Sequence, residues 1–245
     1  MKRIGLIVGS GEIPWQLDWQ ALGSASTSYG EASMVPEAAQ LDTVELIRIK
    51  RHGDPHRFAP HAINYCANLS ALAELSVQAI VALNTVGGIT AQAHTGALLL
   101  PDQIIDYTWG RRQSFSSDDA VRHIDFSHPY DADLTQSLAQ AGRRAEIDLV
   151  RGGVMAVTQG PRLETVAEVR RLAGDGCSVV GMTGMPEAVL ARELGIPFAA
   201  ICLVVNPAAG VAGGQAVDLG SLASVARAGM KTVAELLRTF CQRSV

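Results

Sequence analysis

The chain has 245 residues, 48% of them hydrophobic and 18% charged, with a formal net charge of −4. That is ample for a large α/β core, and a mildly acidic balance gives no reason to expect nucleic acid or an anionic membrane surface as partner. The first apolar run is too short for a signal peptide and no stretch approaches about 18 uninterrupted apolar residues, so a cytoplasmic protein with no membrane span is expected.

In chain order, the expected strands are residues 4–8, 44–49, 79–83, 103–106, 154–157, 179–182 and 199–205. The expected helices are 63–75, 132–145, 165–173, 187–194 and 222–241. The strands are β-branched and lack polar alternation, the pattern of a sheet covered on both faces. Their succession with helices predicts an α/β fold: a single domain, residues 1–245, with a central mixed or largely parallel β-sheet flanked by helices. Gly195 is placed to close the helix before it. Residues 23–40, rich in Ser, Ala and Gly, and the polar residues 109–122 read as loops, and long loops in a compact domain are often functional. Cys66, Cys177, Cys202 and Cys241 show no metal or redox spacing and read as buried free thiols.

Several polar segments sit at the ends of these elements. Gly9-Ser10-Gly11 follows the first strand. Small residues there let backbone N–H groups approach a ligand and Ser10 adds a hydroxyl, but no Walker or full dinucleotide signature follows, so an anion site and a plain turn are both open. Arg51-His52-Gly53-Asp54-Pro55-His56-Arg57 concentrates groups suited to phosphate binding or proton transfer, against the alternative of a solvated basic loop. Asn84-Thr85-Val86-Gly87-Gly88 ends the most apolar strand, where α/β proteins place ligand contacts; a tight turn is the alternative. Glu164, in Gln159-Gly160-Pro161-Arg162-Leu163-Glu164-Thr165, either accepts from a ligand N–H or merely favours a helix N-terminus. Asn206, in Val205-Asn206-Pro207-Ala208-Ala209-Gly210, suits a heterocycle edge that bears a carbonyl beside a ring nitrogen, or forms a turn before proline. Met182-Thr183-Gly184-Met185-Pro186-Glu187 is the most informative segment. Pro186 suits a first helical turn, which puts Thr183 where free N–H groups and a helix dipole hold an anion.

Together these motifs resemble the trimeric nucleoside phosphorylases, the family that holds purine nucleoside phosphorylase and methylthioadenosine phosphorylase. The likeness runs along nearly the whole chain, with Thr27-Ser28-Tyr29-Gly30 and Asn64-Tyr65-Cys66-Ala67-Asn68 added to the segments above. Residues 51–58, 123–131 and 204–210 resemble a bacterial branch that acts on a 5'-methylthio 6-oxopurine nucleoside. The resemblance implies a fold of nucleoside phosphorylase type and reversible phosphorolysis of an N-glycosidic bond. It implies inorganic phosphate as co-substrate and no metal or organic cofactor.

By that resemblance, Ser10, Arg51, His52, Asn84, Thr85 and Thr183 surround phosphate. Met182 packs on the ribose, and Asn206 binds the base with Pro207 and Ala208 in its loop. Glu164, beside Leu163, accepts from the base, and Asn206, His52 and Thr183 carry the catalysis. The methylthioadenosine enzymes have acids in the base loop where this chain reads Asn206-Pro207-Ala208. Glu164 matches the base-binding Glu of 6-oxopurine enzymes, so hypoxanthine or guanine is favoured over adenine. Purine nucleoside phosphorylases carry a C-terminal His for the 5'-hydroxyl, whereas this chain has none after Cys202. Leu219 and Leu222 fall where the methylthio enzymes are apolar, which makes Leu219 a specificity residue beside Glu164. His123 would reach a neighbouring subunit's site in a homotrimer. Phosphorolysis of inosine or guanosine is the alternative, phosphorolysis of methylthioadenosine ranks behind it because the loop acids are absent, and a non-catalytic nucleoside-binding protein is the alternative of another class.

Overall fold

The apolar runs assemble into one mixed sheet. In the structure, a computed structural model, residues 2–116, 121–213 and 218–242 are described, and the side chain of Leu219 lies outside the described residues. The first part of the chain gives β1 (Lys2–Val8), β2 (Gln20–Ala21), β3 (Ser26–Thr27), β4 (Gly30–Glu31), β5 (Glu37–Leu41), β6 (Val44–Lys50), α1 (Tyr65–Glu74), β7 (Ala79–Gly88), β8 (Leu98–Leu100) and β9 (Gln103–Asp106). The rest gives α2 (Ala132–Arg144), β10 (Leu149–Arg151), β11 (Val154–Val157), α3 (Val166–Gly174), β12 (Cys177–Gly181), α4 (Glu187–Glu193), β13 (Phe198–Pro207) and α5 (Leu219–Cys241). The strand order is β10-β8-β13-β7-β1-β6-β5-β2, and β12, β11 and β9 branch from the far end of β7.

The centre is parallel: β1 lies between β6 and β7, and β13 runs beside β7. Alternation along these strands feeds two cores. Ile4, Leu6 and Val8 of β1 pack with Leu138 of α2 and Leu237 of α5. Ile7 packs on the other face with Leu69 and Leu72 of α1 and with Leu190 of α4. Both faces are therefore apolar, as the β-branched runs predict.

Several expectations need correction. The strand expected over residues 79–83 continues to Gly88, so Asn84 and Thr85 form no tight turn; they pair with Cys202 and Leu203 of β13. Gly88 is required by close approach, since a Cβ there would fall 1.8 Å from the Ala93 carbonyl oxygen. Residues 23–40 are not simply a loop. They contain the β3–β4 hairpin and most of β5, an edge-side strand antiparallel to β6 and tied to it by Arg48 and Glu37 at 2.6 Å. Small residues such as Ala38 and Ala39 mask its strand character in composition. β8 and β10 are three residues each, too short to show periodicity.

Gly195 does close α4. Its N–H donates to Arg192 O and that of Ile196 to Ala191 O, the paired bonds of a Schellman ending, with Gly195 at φ 70°. At the other end of α4, Pro186 is the N-cap residue rather than the first helical residue, and the helix is only 7 residues long.

Candidate active site

Strand ends from across the sheet open into one cleft of about 180 Å³. Ser10 follows β1, His52 follows β6, and Thr85 lies within β7. Met182 and Thr183 follow β12, and Asn206 is near the end of β13. Leu163 and Glu164 enter from the loop before α3, Ala208 from the loop after β13, and Leu222 from α5. Ten residues singled out from the sequence thus meet in a single space. Arg51, Asn84, Pro207 and His123 do not line it.

Arg51 and Asn84 stand behind its wall. Arg51 is fully buried and grips Glu187 with two parallel bonds, Nε to Oε1 at 2.7 Å and Nη2 to Oε2 at 2.8 Å. Its Nη1 donates to Leu83 O at 2.7 Å. A Cβ on Gly9 would lie 2.7 Å from Nη1, so the loop carrying Ser10 passes directly over the guanidinium, and only glycine allows it. Asn84 accepts from Thr183 Oγ1 at 3.1 Å, while its buried Nδ2 has no protein partner. An unsatisfied buried donor costs about 1–3 kcal/mol unless something meets it. Pro207 is exposed and its carbonyl accepts from Asn206 Nδ2 at 2.6 Å. His123 is exposed at the surface of its own chain.

His52 lines the cleft yet is only 7% exposed. Its ring stacks on His56, with centroids 4.3 Å apart. Burial pulls its pKa down to about 4, against the opposing Phe58 contact, and the charges of Arg51 and His56 lower it further. Nδ1 lies 2.8 Å from Phe58 O, which can only accept, so in the neutral ring Nδ1 carries the proton and Nε2 keeps a lone pair. Stability has a corresponding pH signature. The unfolded chain protonates this histidine near its ordinary 6.5 and the folded chain only near 4, so between those values the unfolded state holds more protons. The His52 contribution is therefore intact above 6.5 and lost progressively as pH falls to 4, by up to about 3 kcal/mol. Urea midpoints followed across this window should fall less steeply in His52→Gln than in the parent chain.

At the loop before α3, the helix-start role is taken by residues other than Glu164. Thr165 caps α3 and Glu168 completes a capping box, while Arg162 forks onto both Glu168 oxygens at 2.8 and 2.7 Å. Glu164 is left free of the helix end. Its Oε1 accepts from Thr158 Oγ1 at 2.6 Å, and the residue fronts the cleft. Asn206 sits where the β13–β7 register shifts, which re-aims the end of the strand. One hydrogen of its Nδ2 is spent on Pro207 O; the second hydrogen and Oδ1 are not. Leu222 supplies an apolar wall.

The phosphorylase superfamily model matches residues 3–242. The chain belongs to the phosphorylase superfamily. It is 46% identical over 85% of its length, and 89% of the relative's, to the probable S-methyl-5'-thioinosine phosphorylase of Xylella fastidiosa (strain 9a5c). It is 36% identical to the 6-oxopurine nucleoside phosphorylase of Pyrococcus furiosus, covering 87% of this chain and 82% of that one. Among solved structures, methylthioadenosine phosphorylase from Schistosoma mansoni in complex with adenine superposes with a TM-score of 0.90 at 26% identity, covering 99% of this chain and 91% of that one. The chain is thus a pentosyltransferase of this class, and the mixed sheet with flanking helices is a phosphorylase fold.

Three residues that shape this cleft and its walls escape a reading of the sequence. Glu187, fully buried, is visible there only as an acid at a helix start. Thr158 is the first polar residue after β11 and its role depends on a neighbour six positions on. Arg111 lies in the polar stretch flagged as a functional loop. Nearly buried, it donates to Met185 O at 2.7 Å, Gln159 O at 3.0 Å, and Thr158 O and Tyr65 Oη at 3.3 Å each. One guanidinium therefore fixes the loop after β11 to the loop before α4.

Proposed function

We propose that the protein catalyses phosphorolysis of S-methyl-5'-thioinosine to hypoxanthine and 5-methylthioribose 1-phosphate. The observation that carries this reading is the pairing of two walls of one cleft: a carboxylate, Glu164, freed from the helix end by Glu168, and the apolar side chain of Leu222. A carboxylate accepts from the N1–H of a 6-oxopurine but meets a lone pair at N1 of adenine. An apolar 5' wall suits CH₃–S better than a hydroxyl. The name of the Xylella fastidiosa relative supports the same substrate.

Phosphate sits between Ser10, Thr85 and Thr183, with the Asn84 amide and the Arg51 charge behind that wall. A phosphate oxygen attacks C1' of a ribose held on Met182. The bond from C1' to the purine nitrogen breaks, with positive charge on the sugar and negative charge on the base. Phosphate stabilises the first, and the free Asn206 amide hydrogen stabilises the second at the imidazole and carbonyl edge. Holding phosphate and nucleoside in line supplies much of the rest. Neutral His52 accepts from a protonated phosphate oxygen through Nε2.

The working assembly is a homotrimer in which exposed His123 closes a neighbour's 5' pocket. The four cysteines are unpaired and buried, which suits a reducing cytoplasm. The second reading, inosine or guanosine phosphorolysis, is favoured by the name of the Pyrococcus furiosus relative. Phosphorus NMR of the reaction with methylthioinosine tests the proposal: growth of a sugar 1-phosphate resonance is expected, and base release without phosphate consumption would overturn it.

A further inference from the structure

We propose that Thr158 is a positioning residue for base selection: its hydroxyl holds one oxygen of Glu164 and so fixes the carboxylate with the other oxygen turned to the purine. The inference rests on the reading of Glu164 given above. Glu164 stands between two cavities. One is the substrate cleft, and the other, of about 400 Å³, is lined by Thr158, Tyr107 and Trp109. Thr158 lines the second cavity and not the substrate cleft, so it meets the carboxylate without itself facing that cleft.

The bond is directional. Thr158 Oγ1 has one hydrogen and two acceptors in reach, Glu164 Oε1 at 2.6 Å and Gly181 O at 3.3 Å. The shorter, charge-assisted bond holds it. Among the described residues, Thr158 Oγ1 is the only hydrogen-bond donor to Glu164, because the nearby Arg162 is committed to Glu168. The donor is itself rigid. Its backbone N–H bonds Gly181 O at 2.9 Å and its carbonyl accepts from buried Arg111. With Oε1 so occupied, Oε2 is the oxygen left for N1–H of a 6-oxopurine.

Oε2 so aimed accepts from N1–H of a 6-oxopurine but meets the N1 lone pair of a 6-aminopurine, so the fixed orientation sharpens the preference for the 6-oxo base. A threonine without this role would leave base preference alone.

The test compares kcat/KM for methylthioinosine and methylthioadenosine in Thr158→Val, Thr158→Ser and Glu164→Ala. The isosteric Thr158→Val is expected to lower the ratio of the two by about tenfold, the scale of one hydrogen bond to a charged group. Thr158→Ser, which keeps the donor, is expected to restore the ratio. Equal losses on both substrates in Thr158→Val, with the ratio unchanged, would overturn the inference. If Glu164→Ala collapses the ratio and Thr158→Val does not, the inference alone fails. If Glu164→Ala also leaves the ratio unchanged, the reading of Glu164 fails and the inference falls with it.

Discussion

Glu187→Ala is expected to lower the melting temperature by about 10 °C and kcat/KM by roughly a hundredfold. The stability loss follows from burial. Arg51 and Glu187 are both fully buried, and removing one partner strands the other charge, at a cost of about 3–5 kcal/mol. Each kcal/mol moves the midpoint of a chain of this size by about 2–4 °C. The activity loss follows from geometry. Arg51 spends three donors on Glu187 and Leu83 and lies under the Gly9-Ser10 loop, so an unanchored guanidinium displaces the phosphate wall. A displacement of about 1 Å is enough for a hundredfold loss. The paired replacement Arg51→Met with Glu187→Leu separates the two effects. Exchange of both members of a buried ion pair for apolar groups is often neutral or stabilising. The double variant is therefore expected to melt near the parent temperature and still bind phosphate poorly. Calorimetry and phosphate KM values check this, and parental turnover in the double variant would remove Arg51 from the phosphate site.

Glu164→Ser combined with Asn206→Asp is expected to shift preference from hypoxanthine toward adenine by about a thousandfold in the ratio of kcat/KM values. Each substitution reverses one polar match. Serine at 164 donates to the N1 lone pair of adenine, and aspartate at 206 accepts from its exocyclic amine. Two such matches at about 2 kcal/mol each compound to roughly three powers of ten, within the range reached by sites built around substrate hydrogen bonds. Asn206→Asp also sets a carboxylate against the Pro207 carbonyl that now accepts from Nδ2, so the loop after β13 is expected to shift. Steady-state kinetics on methylthioinosine and methylthioadenosine measure the ratio; an unchanged ratio would exclude both residues from base recognition.

Much of this site is legible in the sequence because its parts are local. Ser10, Thr85, Thr183 and Asn206 occupy strand ends or the segments beside them, and glycines that admit close backbone approach mark those places. The sheet is legible for a similar reason, since Ile4, Leu6, Ile7 and Val8 show no polar face. What is hidden depends on distant partners. Arg51 reads as an exposed phosphate ligand until Glu187, 136 residues away, takes both sides of its fork. Glu164 leaves a helix-start role and a ligand-binding role both open until Thr165 and Glu168 are seen to fill the first. The continuation of β7 through Asn84 and Thr85 is hidden as well, because it depends on β13 and β12 beside it rather than on the propensity of those residues.

The most direct measurement is base release, with and without phosphate, from methylthioinosine, methylthioadenosine, inosine and guanosine in parallel. The account predicts hypoxanthine release that requires phosphate and is fastest from methylthioinosine. Fastest release from methylthioadenosine, or release indifferent to phosphate, would contradict it.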